Sequence, residues 1–542
     1  MSVRDTPGER AGVAAGSVGG GRGRGRTALG VFFAVTAVYC LSASGRIDTG
    51  DGQFRYEVTR GWLTAGEPVV VDPAMAAVEG LDGKRYSAYG ASPSLAAVPL
   101  VWLGGLGGDP LGERARLFFA LTTPLFGGLL AALGFLLLGE LGVAARPALG
   151  WTLVGAFASL VWPVAASCFD QVQQAFFVLL ALWCGLRAAR RRSVALAAAG
   201  SLALAALINY QPNFLLLVPA LSLTTLARPL DGGGRDRRSW AVTAVFLLGA
   251  PLGLGLSFHY NEIRFGVPFF YDRLAIGVGS PPLFGSPVRG LAGLLASPGK
   301  SVLLYSPTLV VGLAGFGGLR RREPAVAWAV AATSAVHLLF VAALSFFHGD
   351  WAWGPRYLAV ILPLWVLAMP FTRLPRPWVA ALVAAGVAVQ LLGLAVVHDR
   401  FFYGRGLTAH FWWPQDDFYF RHSALLARPG ELLQTITEGP PPEAGRFAPT
   451  HRAGYRNSFI VGPVPAHRGP EWMRRYRVFY RLRPWPLWAL AEPPGTLPVS
   501  LPLAVGALVA LGLAGGAAAA GGLAAAGPGA RSAAAAGPPR SS

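Results

Sequence analysis

Between Arg46 and Leu63 the sequence gathers residues with the capacity for chemistry. Asp48 and Asp51 stand at the head of a stretch in which Phe54, Val58 and Trp62 recur on one helical face, while Arg55, Glu57, Thr59 and Arg60 fill the other faces. This pattern suits a helix lying in a membrane interface, acids at its N-terminal end and arginines behind them. A carboxylate can take a proton, and the planar fork of arginine matches phosphate oxygens. Together they suit chemistry on a lipid-linked phosphate ester. The same acids have a plainer use. Asp48, Thr49 and Asp51 are all good helix caps, and carboxylates sit well on a helix N-terminus.

Other candidates are scattered along the chain. Asp170, at the edge of an apolar span, suits either a cap or a second acid facing the acceptor. Lys84, Arg85, Arg264, Lys300 and Arg356 join Arg55 and Arg60 as cations near membrane edges. Snorkelling toward headgroups accounts for many such residues. Arg356, followed by Tyr357, differs because its loop, His348 to Pro355, is rich in Trp, Gly and Pro. His259, His348 and Asp350 match no metal-ligand spacing. Trp351, Trp353, Trp412 and Trp413 suit stacking on a sugar or the aromatic belt of a membrane protein.

The elements that must position these residues are membrane spans. Of 542 residues, 53% are hydrophobic and 13% charged, which indicates an all-α polytopic integral membrane protein. The net charge of +19 sits mostly in short gaps between apolar stretches, as topology signals do, so it does not point to nucleic acid. Cys40, Cys168 and Cys184 fall in or at the ends of apolar spans and frame neither a disulfide scaffold nor a zinc site.

About twelve spans are expected. The first, Thr27–Ser44, follows a Gly/Arg-rich leader, 1–26, expected to be disordered and cytoplasmic. Others lie near 115–138, 148–168, 173–188, 193–209, 212–227, 239–257, 301–318, 325–346, 356–372 and 377–397, and the last is 499–526 before a cytoplasmic tail, 527–542. Ser92–Gly108 is short and glycine-containing, so it is read as interfacial or re-entrant. On that reading Arg146, Arg187–Arg192, Arg228 to Arg238, Arg320–Arg322 and Arg373 with Arg376 all fall inside. The outside then carries the first loop, 45–114, with Asp51, a second long loop, 258–300, and a soluble region, 398–498. Asp and Glu are absent from the middles of the spans, which weakens the reading of an ion-coupled carrier.

With its loops in this order the chain resembles the GT-C glycosyltransferases, and within them family 39: the protein O-mannosyltransferases and lipid A aminoarabinose transferases. Asp51 to Leu63 reads like the family's Asp-Glu-x-x-Tyr-x-x-x-Ala-Arg-x-x-Leu stretch, with Asp51 on the catalytic Asp. Asp82 to Leu95, including Tyr89, is similar to the segment entering the second membrane element, and Asp170 sits where the family keeps a second external Asp. Asn261 to Gly266 and Trp353 to Tyr357 resemble blocks common in bacterial members. Gly52 replaces an acid that often follows the catalytic Asp, and a Glu-Lys-Pro motif is missing near Tyr89.

The resemblance implies a GT-C module over 27–397 with interfacial helices in its first external loop. It implies an inner-membrane enzyme that moves a sugar from a polyprenyl-phosphate carrier to a glycan, lipid or protein acceptor on the external face, inverting the anomeric carbon. Asp51 is the expected base, Asp48 its fallback, and Asp170 is expected to orient the acceptor or share the base role. Arg55, Arg60, Lys84, Arg85, Tyr89, Asn261, Arg264, Arg356 and Tyr357 are expected near the carrier phosphate or substrate. No cofactor beyond the donor is expected, and a divalent metal stays open. A lipid-linked oligosaccharide polymerase or ligase, and a non-enzymatic lipid or solute carrier, are the alternatives.

Overall fold

The computed structural model describes residues 9–71, 77–106, 112–231, 236–269, 283–349, 352–405, 416–442, 444, 473–474, 476–490 and 499–525. Seven of the described helices are long and apolar enough to cross a membrane: Arg22–Ser42, Glu113–Glu140, Gln171–Arg191, Arg237–Phe265, Pro324–Ala343, Arg376–Ala395 and Leu501–Ala525. Twelve were expected. The other five stretches are helical, but short or interrupted. Val194–Tyr210 has 17 residues, and 212–227 opens with a 3₁₀ stretch, Pro212–Leu217. The stretch 148–168 divides into Ala145–Phe157 and Val161–Ala165, and 301–318 divides into Val302–Tyr305 and Leu309–Arg322. The stretch 356–372 is three short pieces. Pro163, Pro307, Pro363 and Pro370 lie at these breaks, where each removes an N–H and crowds the preceding turn.

Helix α1 (Glu9–Ser42) starts inside the stretch read as a disordered leader. Its membrane part packs on Leu501–Ala525 through small residues, which let two helices approach closely in lipid. A Cβ on Gly30 would come within 2.4 Å of the Ala519 nitrogen and 2.5 Å of the Gly515 carbonyl oxygen. Gly30→Leu is therefore expected to lower stability by about 1–3 kcal/mol, the usual range for overpacking. Gly516→Leu, which meets nothing within 4 Å, is expected to be neutral. Thermal unfolding in detergent separates the two.

Helix α2 (Gly50–Thr64) follows the exit of α1. A two-residue hairpin pairs β1 (Val78–Glu79) antiparallel with β2 (Arg85–Tyr86). Helix α3 (Ser92–Gly105), 14 residues long, rises about 21 Å and falls short of the ~30 Å apolar layer. Helices α4 (Glu113–Ala120) and α5 (Thr122–Glu140) then make one long span.

The two ends of the bundle differ. At one end Arg190 pairs with both Glu140 and Glu323, at 3.5 and 2.6 Å, and Arg187 pairs with Glu140 at 3.2 Å. Arg24 donates to the Val143 carbonyl at 2.8 Å, and Arg192 pairs with Asp236 at 3.1 Å. Several charge clusters expected inside thus share one face. The helix ends carrying Ser42, Thr123 and Asp170 lie at the other, where the first loop folds over them.

Candidate active site

The cap at the start of α2 is Thr49, whose Oγ1 accepts from the Gly52 N–H at 2.9 Å. With the cap filled by Thr49, the Asp51 carboxylate turns to other partners. Oδ1 accepts from the Tyr89 hydroxyl at 2.5 Å, and Oδ2 pairs with Arg356 Nη1 at 3.0 Å. The Asp51 side chain is 24% exposed and that of Arg356 only 3%. The acid therefore forms the accessible edge of a buried cationic site.

Arg55 lies one turn along α2. Its Nη2 pairs with Asp170 Oδ2 at 3.0 Å, both side chains buried, and its guanidinium sits 5.0 Å from the centre of the Tyr89 ring. Nε and Nη1 of Arg55 are buried without a hydrogen-bond partner. Burial opposes the Arg55 charge, but Asp170 and Asp51 outweigh it and hold its pKa above the ordinary arginine value. Asp170 occupies the cap position of Gln171–Arg191 yet makes no side-chain cap bond. Its carboxylate serves Arg55 and accepts from Gln171 Nε2 at 3.0 Å.

Two devices fix the partners of Asp51. Arg264, 1% exposed, donates to the Ser87 carbonyl, to the Tyr89 carbonyl at 3.4 Å and to Asn261 Oδ1 at 2.8 Å. It lies over the Tyr260 ring at 3.6 Å. Arg264 and Asn261 thus set the backbone from which Tyr89 reaches Asp51. Arg356 is set by its loop. Its Nε donates to the Gly349 carbonyl at 2.7 Å, its Nη2 to the Tyr357 hydroxyl at 3.4 Å, and the guanidinium lies 4.1 Å from the Phe169 ring centre. Gly349 and Gly354 hold φ of +68° and +59°, where glycine is the natural residue. Buried Lys300 braces the loop by donating to the Ala352 and Gly354 carbonyls at 3.0 and 2.9 Å.

Asp51, Tyr89, Arg55, Asp170, Arg356 and Tyr357 therefore converge, with Asn261 and Arg264 behind them. The other named residues do not join them directly. Arg60 pairs with Glu57 at 3.0 Å, and Glu57 also faces Arg116 at 3.8 Å, all three buried. The charged faces of α2, read as interfacial, are thus inside, neutralised by one another. Val58 is buried against Val70, with Phe54 and Trp62 packed beside them, so the apolar face is largely covered by the chain that follows. Lys84 is exposed and paired with Glu67 at 2.5 Å, and Arg85 lies in β2. Asp48 is taken by Arg483 at 2.9 Å and by the Cys168 N–H at 3.0 Å.

Sequence reasoning missed Arg483, Gln171 and Phe169 as partners of these acids and cations. Trp353 is buried against Tyr305 and Gly393, which places it in the core. Trp351, Trp412, Trp413 and Asp350 lie outside the described residues. Among the described residues no three His, Cys, Asp or Glu side chains gather to hold a metal ion.

His398 faces Trp353 and lies beside Arg483 in a small cavity also lined by Arg46, Asp48 and Asp399. Burial first, then Arg483, Arg428 and Lys300, holds its imidazole well below the ordinary 6.5. The unfolded chain gains a proton on this ring as pH falls through 6.5 and the folded chain does not. Stability present above that pH is therefore lost below it, by up to about 1.4 kcal/mol per pH unit. His398→Gln is expected to flatten the acid limb of a Tm-against-pH curve by that one group.

No protein-family model matches the sequence, and no curated protein matches it. Among solved structures, ArnT from Cupriavidus metallidurans in the apo state is 17% identical, with a TM-score of 0.46, over 74% of this chain and 69% of that one. ArnT from the same organism bound to undecaprenyl phosphate is 16% identical, with a TM-score of 0.43, over 78% and 83% of the two chains. The oligosaccharyltransferase AglB from Archaeoglobus fulgidus, in complex with an inhibitory peptide and a dolichol-phosphate, is 14% identical, with a TM-score of 0.45, over 67% of this chain and 55% of that one.

Proposed function

We propose that this chain is a membrane glycosyltransferase that moves a sugar from a polyprenyl-phosphate carrier to an acceptor on the external face of the inner membrane. One observation carries the reading: a part-exposed carboxylate, Asp51, beside two buried guanidinium groups, Arg55 and Arg356, of which Arg55 has Nε and Nη1 unpartnered. A buried arginine with two free donors is organised for an anion, and a phosphate oxygen fills that place. Apolar helices around the site offer the carrier's tail an apolar path. The positive-inside rule puts the arginine-rich face in the cytoplasm and Asp51 outside. The likeness of Asp51–Leu63 and Asp82–Leu95 to family 39 supports a sugar as the transferred group.

In the proposed reaction Asp51 takes the proton from the acceptor hydroxyl or amine as that atom attacks the anomeric carbon. The bond from that carbon to the phosphate oxygen breaks, its electrons stay on the phosphate, and configuration inverts. Arg55 and Arg356 stabilise the charge growing on the departing phosphate. Asp170 keeps Arg55 in place. Tyr89 and Arg356 hold the Asp51 carboxylate until donor phosphate competes for Arg356.

The test is incubation of membranes holding the protein with labelled polyprenyl-phosphate sugars, with product and released lipid phosphate both measured. Equal amounts of transferred sugar and released phosphate are expected. Transfer of a chain rather than one sugar would mark a polymerase or ligase. Carrier movement across vesicles without bond cleavage would overturn the transferase reading.

A further inference from the structure

Arg483 belongs to the external region 398–498, to which the sequence assigns no role. It sits in a short strap at the base of the first loop. Its backbone N–H donates to the Ala395 carbonyl at 2.9 Å, and Leu482 bridges to Val396. Next to it, Trp485 donates from its backbone to the Ala43 carbonyl at 2.9 Å and from Nε1 to the Cys40 carbonyl at 2.8 Å. Trp488 Nε1 donates to the Ser44 carbonyl at 3.0 Å. Gly45, at φ +67°, lies so close that a Cβ would come within 2.3 Å of the Trp485 Cβ. The strap therefore grips the exit of α1.

From this strap the Arg483 guanidinium, buried, reaches two separate turns through one nitrogen. Nη2 lies 2.9 Å from Asp48 Oδ2, 2.8 Å from the Ala166 carbonyl and 2.6 Å from Ser167 Oγ. Asp48 Oδ1 closes the link by accepting from the Cys168 N–H. One of these turns leads into α2 and Asp51. The other leads into Asp170. All three contacts run through Nη2, whose two N–H groups are shared among a carboxylate, a carbonyl and a hydroxyl, while Nη1 is buried without a hydrogen-bond partner.

We infer that Arg483 is a positioning residue that sets the spacing between the Asp51 and Asp170 turns, so that the external region completes the active site. Its catalytic consequence rests on the transferase reading. The clamp itself does not. Cys168 reports on it independently, because its thiol is buried beneath the turn and bonds the Arg46 carbonyl.

The test uses the full chain with Cys40→Ala and Cys184→Ala, leaving Cys168 as the single thiol. Arg483→Met and Asp48→Asn are expected to raise maleimide labelling of Cys168 about tenfold, the change in open population that ~1.4 kcal/mol gives. The same variants are expected to lower kcat about tenfold, with donor KM within about twofold, and Arg483→Lys to recover part of kcat. Should Arg483→Met unfold the chain, Asp48→Leu with Arg483→Met removes both charges of the pair, leaves Asp399 facing Arg46, and carries the same readouts. Unchanged Cys168 labelling overturns the clamp. Raised labelling with unchanged kcat overturns its role in positioning. A wild type that transfers nothing overturns the transferase reading and the catalytic role with it, while labelling still decides the clamp.

Discussion

Asp51→Asn is expected to lower sugar transfer by about 10²–10⁴-fold, the range that loss of a general base gives. The substitution keeps the size of the side chain, and its carbonyl can still accept the Tyr89 hydroxyl. It loses the proton acceptor, and it presents Arg356 with an amide or neutral oxygen in place of the carboxylate now 3.0 Å away. Arg356 is thereby freed for phosphate, so donor affinity is expected to hold or tighten while turnover collapses. Labelled product measures the first effect, and competition by an unlabelled carrier measures the second. The Asp51 side chain is 24% exposed and its partner Arg356 only 3%, so thermal unfolding of the variant beside wild type separates lost turnover from lost protein. Turnover within a few-fold of wild type would remove Asp51 as the base. It would leave Asp170, whose oxygens are held by Arg55 and Gln171, or Asp48, held by Arg483 and the Cys168 N–H.

The comparison of Asp48 with Asp51 shows how far the sequence could be read. Both were good caps and both were candidate bases. What separates them in the structure is Thr49, which fills the cap, and Arg483, which pairs with Asp48 from a distance of 435 residues along the chain. No local pattern carries the second fact. The arginines show the same limit. Arg356 stood out because its loop is built of Trp, Gly and Pro, and that composition does mark a shaped turn. Arg264, expected near the carrier phosphate or substrate, holds the Ser87 and Tyr89 carbonyls. Arg60 answers Glu57 three residues away on the same helix, a pairing open to inspection in the sequence. Its burial was not, because that depends on Arg116 arriving from α4.

The spans followed the same rule. Stretches with uninterrupted apolar composition, such as Pro324–Ala343, became continuous helices. Three of those holding internal proline became pairs or triplets of short ones, although Glu113–Glu140 and Arg237–Phe265 run on through Pro124 and Pro251. The breaks matter to the site. Val161–Ala165 ends just before the Ala166–Asp170 turn, and the pieces between Arg356 and Phe371 follow the loop that aims Arg356. Straight spans would leave those turns without the backbone freedom to approach α2.

The second large effect concerns Arg55 and Asp170. Arg55→Met leaves the Asp170 carboxylate buried without its cation and is expected to lower stability by about 3–5 kcal/mol, the usual result of breaking a buried pair from one side. The double variant Arg55→Met with Asp170→Leu removes both charges and fills similar volume, so most of that stability should return. Transfer should not return with it. Under the proposed reaction Arg55 has a second task, because its Nε and Nη1, buried and unpartnered, receive the phosphate. Thermal unfolding in detergent and labelled-product assays on the same preparations separate the two tasks. A double variant that recovers both stability and turnover would show that Arg55 serves only to pair Asp170, and the phosphate would then rest on Arg356 alone. Recovered stability with turnover still lost would show that the pair serves the reaction beyond stability, and Arg55→Lys, which keeps Asp170 and a cation beside it but not the fork, would place Arg55 on the leaving group if its turnover is lost as well.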